Sequence, residues 1–119
     1  MTDDQLWPPA LDALVASPEH HELLLENDRV RVVRTHVPPG ERTAVHTHRW
    51  PGVLYVISWS SFVRRDAEGN VLVDSRITGT PRLPGEVTEA VALPPHTFEN
   101  VGEVEFNVIT VELKDEATP

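Results

Sequence analysis

Turn-forming residues cut this chain into short segments. Proline occurs 11 times in 119 residues, and glycine occurs six times. Because proline fixes φ and lacks a backbone N–H, it is disfavoured inside helices and central strands. The segments between these breaks are rich in β-branched residues, which predicts short strands with frequent turns. The pattern is typical of a sandwich, a jelly roll or a small barrel.

Five segments have the composition of strands, and they lie at 30–37, 53–63, 71–77, 87–93 and 104–113. The segment 53–63, VLYVISWSSFV, is apolar on both faces, which predicts burial between two sheets or at a subunit interface. The polar residues 66–70 predict a hairpin loop. Leu11, Leu14 and Val15 have helical spacing ahead of Pro18, which predicts one short helix near the start.

Length and charge narrow the classes of function. We expect a single domain over 1–119, with mobile tails at 1–8 and 114–119. A net charge of −9 disfavours contact with nucleic acid, and no apolar run is long enough to span a membrane. The start, MTDDQLWPPA, lacks the features of a signal peptide, so we expect a cytoplasmic protein. An anionic ligand would need one of four arginines: Arg42, Arg49, Arg64 or Arg65.

Histidine is the residue type most suggestive of chemistry in this chain. Cysteine is absent, so a metal ion would need histidine or carboxylate ligands. His46 and His48 share one face of an extended segment, and His96 is the candidate third ligand. The adjacent pair His20 and His21 would face opposite ways, which makes them weaker candidates, and we expect His36 to be satisfied by a local polar group. The spacing alone leaves open whether the pair binds metal.

Two motifs place these histidines in a wider pattern. Gly40 precedes the His46-x-His48 pair by five intervening residues. Gly85 lies eleven residues before His96, and Asn100 lies four residues after it. In these motifs the chain resembles the cupin family over about residues 30 to 113.

The resemblance implies an all-β fold, a cupin-type jelly-roll β-barrel (double-stranded β-helix), here with one short N-terminal helix. It implies that His46, His48 and His96 hold one divalent metal ion, which could be Fe, Zn, Ni or Mn. It also implies supporting roles at turns for three further residues: Gly40, Gly85 and Asn100.

The chain departs from the family pattern where a glutamate ligand is expected. That position falls on Gly52 or Val53, and alignment on Tyr55 favours Gly52. We therefore expect Gly52 to lie beside the pocket, together with Tyr55. Trp50 shares the face of the histidine pair and is the best aromatic candidate for the pocket wall. Glu41 and Glu99 are candidates to support a ligand imidazole.

Three functions are compatible with these features. The first is a metal-dependent, dioxygenase-like enzyme acting on a small anionic or carbonyl-containing molecule. The second is a non-catalytic protein that binds or senses a small molecule, and the third is a metal-free structural cupin. We also expect a homodimer, because 53–63 and the apolar segment 21–27 suggest sheet surfaces that lack a partner.

Overall fold

The computed structural model describes residues 7–114, in which strands predominate. Of the predicted tails, residues 1–6 and 115–119 lie outside the described part. At the boundary, Lys114 donates its backbone N–H to the carbonyl of Arg29 at 3.0 Å. No helix within residues 7–114 is long and apolar enough to cross a membrane.

Nine strands and one short α-helix form the fold of residues 7–114. A 3₁₀ turn at Pro9–Leu11 precedes helix α1, which spans Ala13–Ala16. The strands are β1 His21–Glu26, β2 Val30–Val37, β3 His46–His48, β4 Gly52–Ser58, β5 Phe62–Asp66, β6 Val71–Asp74, β7 Val87–Ala90, β8 Leu93–Asn100 and β9 Phe106–Leu113. They make two antiparallel sheets, with orders β1-β2-β9-β4-β7 and β3-β8-β5-β6. The predicted all-β jelly-roll fold with one short N-terminal helix is therefore confirmed.

The core lies between the two sheets. Strands β2 and β9 pair without interruption, and their alternate residues turn inward. The fully buried cluster consists of Val37, Val56, Phe106 and Val108, from strands β2, β4 and β9. Phe62 and Phe98 of the four-stranded sheet pack against it. Burial of these apolar surfaces is the main term that holds the sheets together.

The predicted continuous strand at 53–63 is wrong. The chain ends β4 at Ser58 and begins β5 at Phe62, and these strands belong to different sheets. The apolar side chains on one side of β4 lie on the surface: Val53, Tyr55 and Ile57 are 42%, 46% and 38% exposed. Side chains alternate along a strand, so the other side of β4 faces the core.

Other boundaries moved by a few residues. The 71–77 segment forms a strand only at Val71–Asp74, and the 104–113 segment begins at Phe106. The predicted strand 87–93 ends at Ala90, and Leu93 already belongs to β8. The predicted 66–70 hairpin loop is confirmed, because β5 and β6 pair directly across it.

The N-terminal segment lies beside β3. Asp12 caps α1 by accepting a hydrogen bond from the backbone N–H of Leu14 at 3.1 Å. A parallel β-bridge joins Asp12 to Thr47, between the two motif histidines. This arrangement brings β1, which follows α1, close to the His46-x-His48 pair.

Candidate metal centre

Four imidazole rings lie together at one end of the molecule. His46 and His48 come from β3, His96 from the paired strand β8, and His21 from the first position of β1. The ring centroid of His46 lies 4.9 Å from that of His48, 4.4 Å from that of His96 and 4.6 Å from that of His21. The structure thus brings the three predicted histidines together and adds a fourth.

Three of the rings have one nitrogen tied to a backbone carbonyl. Nδ1 of His46 faces the carbonyl of Ala44 at 2.8 Å, and Nδ1 of His96 faces that of Pro94 at 2.7 Å. Nδ1 of His21 faces the carbonyl of Ser17 at 2.9 Å. A carbonyl only accepts, so each Nδ1 carries the proton and each Nε2 keeps its lone pair. Neutral imidazoles with a fixed Nε2 lone pair are what a metal ion requires.

The Nε2 atoms of His46 and His48 lie 3.1 Å apart. Two lone pairs cannot face each other at this distance without a proton or a cation between them. Because Nε2 of His46 is the acceptor, His48 donates its Nε2–H in the metal-free protein. Metal binding would then transfer the His48 proton to Nδ1, which lies 3.8 Å from Oε2 of Glu112.

His21 was the residue that sequence reasoning ranked too low. The tightest group of possible ligands consists of His21, His46 and His48, whose ligand atoms all lie within 4.8 Å of one another. The His96 ring lies beside this group. Nε2 of His21 is buried without a hydrogen-bond partner, which is unusual for a buried polar atom. The available signal was the alternation itself, since one of His20 and His21 had to face inward.

Burial dominates the electrostatics of the four rings. It lowers the pKa of His21 to about 2, and repulsion from His48 and His46 adds to the effect. Burial and the charges of His46 and His48 lower the pKa of His96 to about 2. Burial, with the charge of His46, lowers the pKa of His48 to about 3, and burial also lowers that of His46. The four imidazoles are therefore neutral at physiological pH, as metal ligands must be.

A buried ion-pair network lies behind His48. Nε of Arg31 donates to Oε1 of Glu112 at 2.6 Å, and the two Nη atoms of Arg31 donate to Asp12 at 3.0 and 2.8 Å. Burial raises the pKa of the Glu112 carboxyl, and Arg31 opposes this rise. The carboxylate thus faces the candidate ligand His48 from β9, 64 positions further along the chain. Glu41 and Glu99, expected in this role, pair instead with His20 at 2.9 Å and Arg65 at 2.7 Å.

Gly52 cannot be replaced by a ligand side chain without moving the backbone. A Cβ at this position would overlap the carbonyl oxygen of Val111 on the neighbouring strand β9. Gly52 is buried and is not one of the cavity-lining residues, so its expected place in the pocket is corrected. The close approach of β4 and β9 leaves no room for a glutamate side chain there.

The three other motif residues shape turns. Gly40 and Gly85 have φ of +83° and +88°, the left-handed region that favours glycine. The Asn100 side chain donates to the carbonyls of Val37 and Val104 at 2.8 Å and accepts from Ser60 Oγ at 2.8 Å. These contacts hold the β8–β9 connection. His36, as expected of a strand residue, is satisfied by a nearby group, here the carboxylate of Glu105.

A cavity of about 380 Å³ opens in front of the histidines. Trp50 lines it, as expected, and Arg31 lies over the Trp50 ring at 4.9 Å. Tyr55 does not line it, because alternation along β4 turns Tyr55 outward and Leu54 inward. The remaining aromatic wall comes from residues of both sheets: Trp59, Phe62, Phe98 and Phe106. Phe62 and Phe106 belong to both the core and the cavity wall.

Solved structures of known proteins share this architecture. A cupin domain from Bordetella pertussis aligns at TM-score 0.61 and 20% identity, over 78% of this chain and 90% of that one. A double-stranded β-helix protein from Klebsiella pneumoniae aligns at TM-score 0.53 and 22% identity, over 99% and 91%. The polyketide cyclase RemF from Streptomyces resistomycificus aligns at TM-score 0.52 and 22% identity, over 87% and 70%. No family model and no curated protein matches the chain. The chain therefore has the cupin fold, and its histidine cluster could hold a metal ion.

Proposed function

We propose that this cupin is a metal-dependent enzyme that binds one divalent ion through four histidines and a small organic molecule in the cavity beside it. The ligands would be Nε2 of His21, His46, His48 and His96. The observation that carries the proposal is the orphaned Nε2 of His21, which is buried in the tightest group of possible ligands. A buried polar atom without a partner costs free energy, and a bound ion would remove that cost.

The donor set supports a first-row transition metal. Neutral imidazoles suit Zn²⁺, Fe²⁺ or Ni²⁺ better than Mg²⁺ or Ca²⁺, which prefer oxygen ligands. Carbonyls of Ala44, Pro94 and Ser17 fix three of the rings by holding their Nδ1 protons. Four neutral ligands leave the full charge of the ion in place, which favours a carbonyl or anionic substrate. When bound, such an ion supplies a Lewis acid that polarises a carbonyl or activates a coordinated water.

The surrounding residues would hold and shield the substrate. Trp50 and Trp59 line the cavity and exclude water from one side of a bound molecule. The Glu112 carboxylate would stabilise a proton on Nδ1 of His48 and so keep Nε2 of His48 available as a ligand. The polyketide cyclase among the structural neighbours makes polyketide-like carbonyl compounds a sensible first substrate panel.

Metal titration of the chelator-treated protein tests the proposal. We expect Zn²⁺, Fe²⁺ or Ni²⁺ to bind at one equivalent and to raise the melting temperature. His21→Ala should weaken zinc binding by about 10-fold or more, since even the loss of a residue that only supports a metal ligand has an effect of this size. His36→Ala is the matched control, because this histidine lies outside the cluster and pairs with Glu105.

Two outcomes would contradict the proposal. One is a wild-type protein that binds no metal above the level of a His46→Ala/His48→Ala variant. The other is a loaded protein that binds diketones and hydroxy acids without converting any of them, which would leave a binding protein instead of an enzyme.

A further inference from the structure

Arg64 reaches the same cavity from the four-stranded sheet. It lies on β5 directly opposite Phe98 of β8, and both side chains line the cavity. The next residue, Arg65, pairs through its side chain with Glu99 at 2.7 Å. Alternation along β5 thus turns Arg64 inward, toward the face that carries His96.

The guanidinium of Arg64 has no counter-charge in the described part of the chain. No carboxylate within residues 7–114 forms an ion pair with it, and its Nε is buried without a hydrogen-bond partner. Arg31, a more deeply buried arginine near the cavity, is matched by both Asp12 and Glu112. A half-buried charge beside a cavity loses part of its hydration without gaining a counter-charge, so it points to an anionic partner supplied from outside the chain.

Arg64 shares the cavity wall with His48 and His96. Burial lowers the pKa of Arg64 itself, yet a guanidinium stays protonated at neutral pH. One wall of the cavity therefore combines a permanent positive charge with the candidate metal centre.

The rest of the wall is aromatic. The rings of Phe62 and Phe98 stack at 4.8 Å with an interplanar angle of 17°. Phe98 contacts Phe106 at 4.5 Å, and Trp59 contacts Phe106 at 4.8 Å. Such a surface favours flat apolar molecules over flexible polar ones. The cavity volume, about 380 Å³, is within the usual range for small-molecule sites.

We propose that the cavity binds a planar aromatic molecule carrying one anionic oxygen group, a carboxylate or an enolate-type oxygen, and that Arg64 holds this group. The inference rests on the proposed function for the cavity that it shares, and it names the class of substrate. A guanidinium forms two parallel hydrogen bonds with a carboxylate, which fixes the orientation of the bound ring system. The ring system then lies against the phenylalanine wall.

Binding of 2-naphthoate and of its neutral analogue 2-naphthylmethanol tests the inference. Both are titrated by calorimetry into wild-type protein, once chelator-treated and once loaded with Zn²⁺. We expect metal-free wild-type protein to bind 2-naphthoate about 10-fold or more tightly than the alcohol, as charged hydrogen bonds allow. Arg64→Met should remove this preference while retaining the alcohol, and Arg64→Lys should keep part of it.

Arg65→Met is the matched control, because it removes a positive charge from the adjacent position on the other face of β5. We expect it to leave the preference for the carboxylate intact. Equal binding of the two probes by wild-type protein would overturn the inference, even if Arg64→Met failed to fold. It would also be overturned if Arg82→Met, at the exposed edge of the cavity, abolished the preference and Arg64→Met did not.

The two proposals fail in different ways. Loss of zinc binding with an intact carboxylate preference would contradict the metal centre alone. A carboxylate preference that appears only in the zinc-loaded protein and survives Arg64→Met would contradict the role of Arg64 alone, since the metal would then bind the anion.

Discussion

Glu112 is nearly inaccessible to solvent, with 1% of its surface exposed, and it divides its two oxygens between Arg31 and His48. We predict that Glu112→Gln lowers zinc affinity by about 10- to 100-fold, because a neutral amide would attract the Nδ1–H of metal-bound His48 less strongly than a carboxylate. Competition with a zinc chelator measures this change. Glu105→Gln is the control, since Glu105 pairs with His36 outside the cluster. Equal affinities of the two variants would show that Glu112 acts only on stability.

At the residue scale, the sequence identified the candidate site residues that lie in motifs and missed those that do not. His46, His48 and His96 lie in recognisable sequence motifs. Strands β3 and β8 pair directly and place His46 opposite His96. His21 and Glu112 belong to β1 and β9 of the other sheet, and no local pattern links them to the motifs. Their place depends on the bridge between Asp12 and Thr47 and on the pairing of β9 with β4, which are long-range contacts.

At the element scale, β4 and β9 pack too closely to accept any side chain at Gly52. We predict that Gly52→Ala destabilises the protein by about 2 kcal/mol or more, because its Cβ would overlap the Val111 carbonyl. Urea unfolding measures the change. Gly69→Ala is a control for backbone strain alone: Gly69 has φ of +91° and open space around it, and its cost should be about 1 kcal/mol. A smaller loss for Gly52→Ala than for Gly69→Ala would contradict the packing argument.

Element boundaries were predictable where turn residues mark them. The β5–β6 hairpin was predictable because aspartate and glycine in residues 66–70 favour a turn. In the structure, Asp66 accepts hydrogen bonds from the backbone N–H groups of Glu68 and Asn70. The break between β4 and β5 was missed, because Trp59, Ser60 and Ser61 contain neither proline nor glycine. The chain passes there from one sheet to the other, and the hydroxyl of Ser60 donates a hydrogen bond to the side-chain oxygen of Asn100 at 2.8 Å.

At the scale of the whole molecule, the five-stranded sheet exposes apolar side chains that a single copy leaves in water. Leu23, Leu24 and Leu25 of the edge strand β1 are 45%, 45% and 51% exposed. Tyr55 on β4 is 46% exposed. We predict a homodimer through this sheet, because pairing would bury an apolar surface and an open strand edge together. Sedimentation analysis should give a dimer at micromolar concentration for wild type and a monomer for Leu24→Glu.

The matched control for the dimer lies on the other sheet. Leu72 of β6 is 51% exposed, and Leu72→Glu should leave the sedimentation profile unchanged. A monomeric wild-type protein, or a dimer disrupted equally by both variants, would contradict this interface.

Acid sensitivity of the metal-free protein is a property of all four clustered imidazoles together. Their ordinary pKa of 6.5 is lowered by burial to about 2 for His21 and His96 and about 3 for His48. Below pH 6.5 the imidazoles of the unfolded chain therefore bind protons while those of the folded chain stay neutral. The free energy of unfolding is therefore highest above pH 6.5 and falls as the pH decreases toward 3. Glu112 opposes this fall only in part, as a single carboxyl whose pKa is raised by burial.

Urea unfolding of chelator-treated protein at pH 7.5, 6.5 and 5.5 measures the slope of stability against pH before ordinary carboxylates titrate. His21→Asn removes one of these groups and should give a shallower slope. A stability independent of pH over this range would mean that the imidazoles are hydrated in solution and that the cluster is open to water.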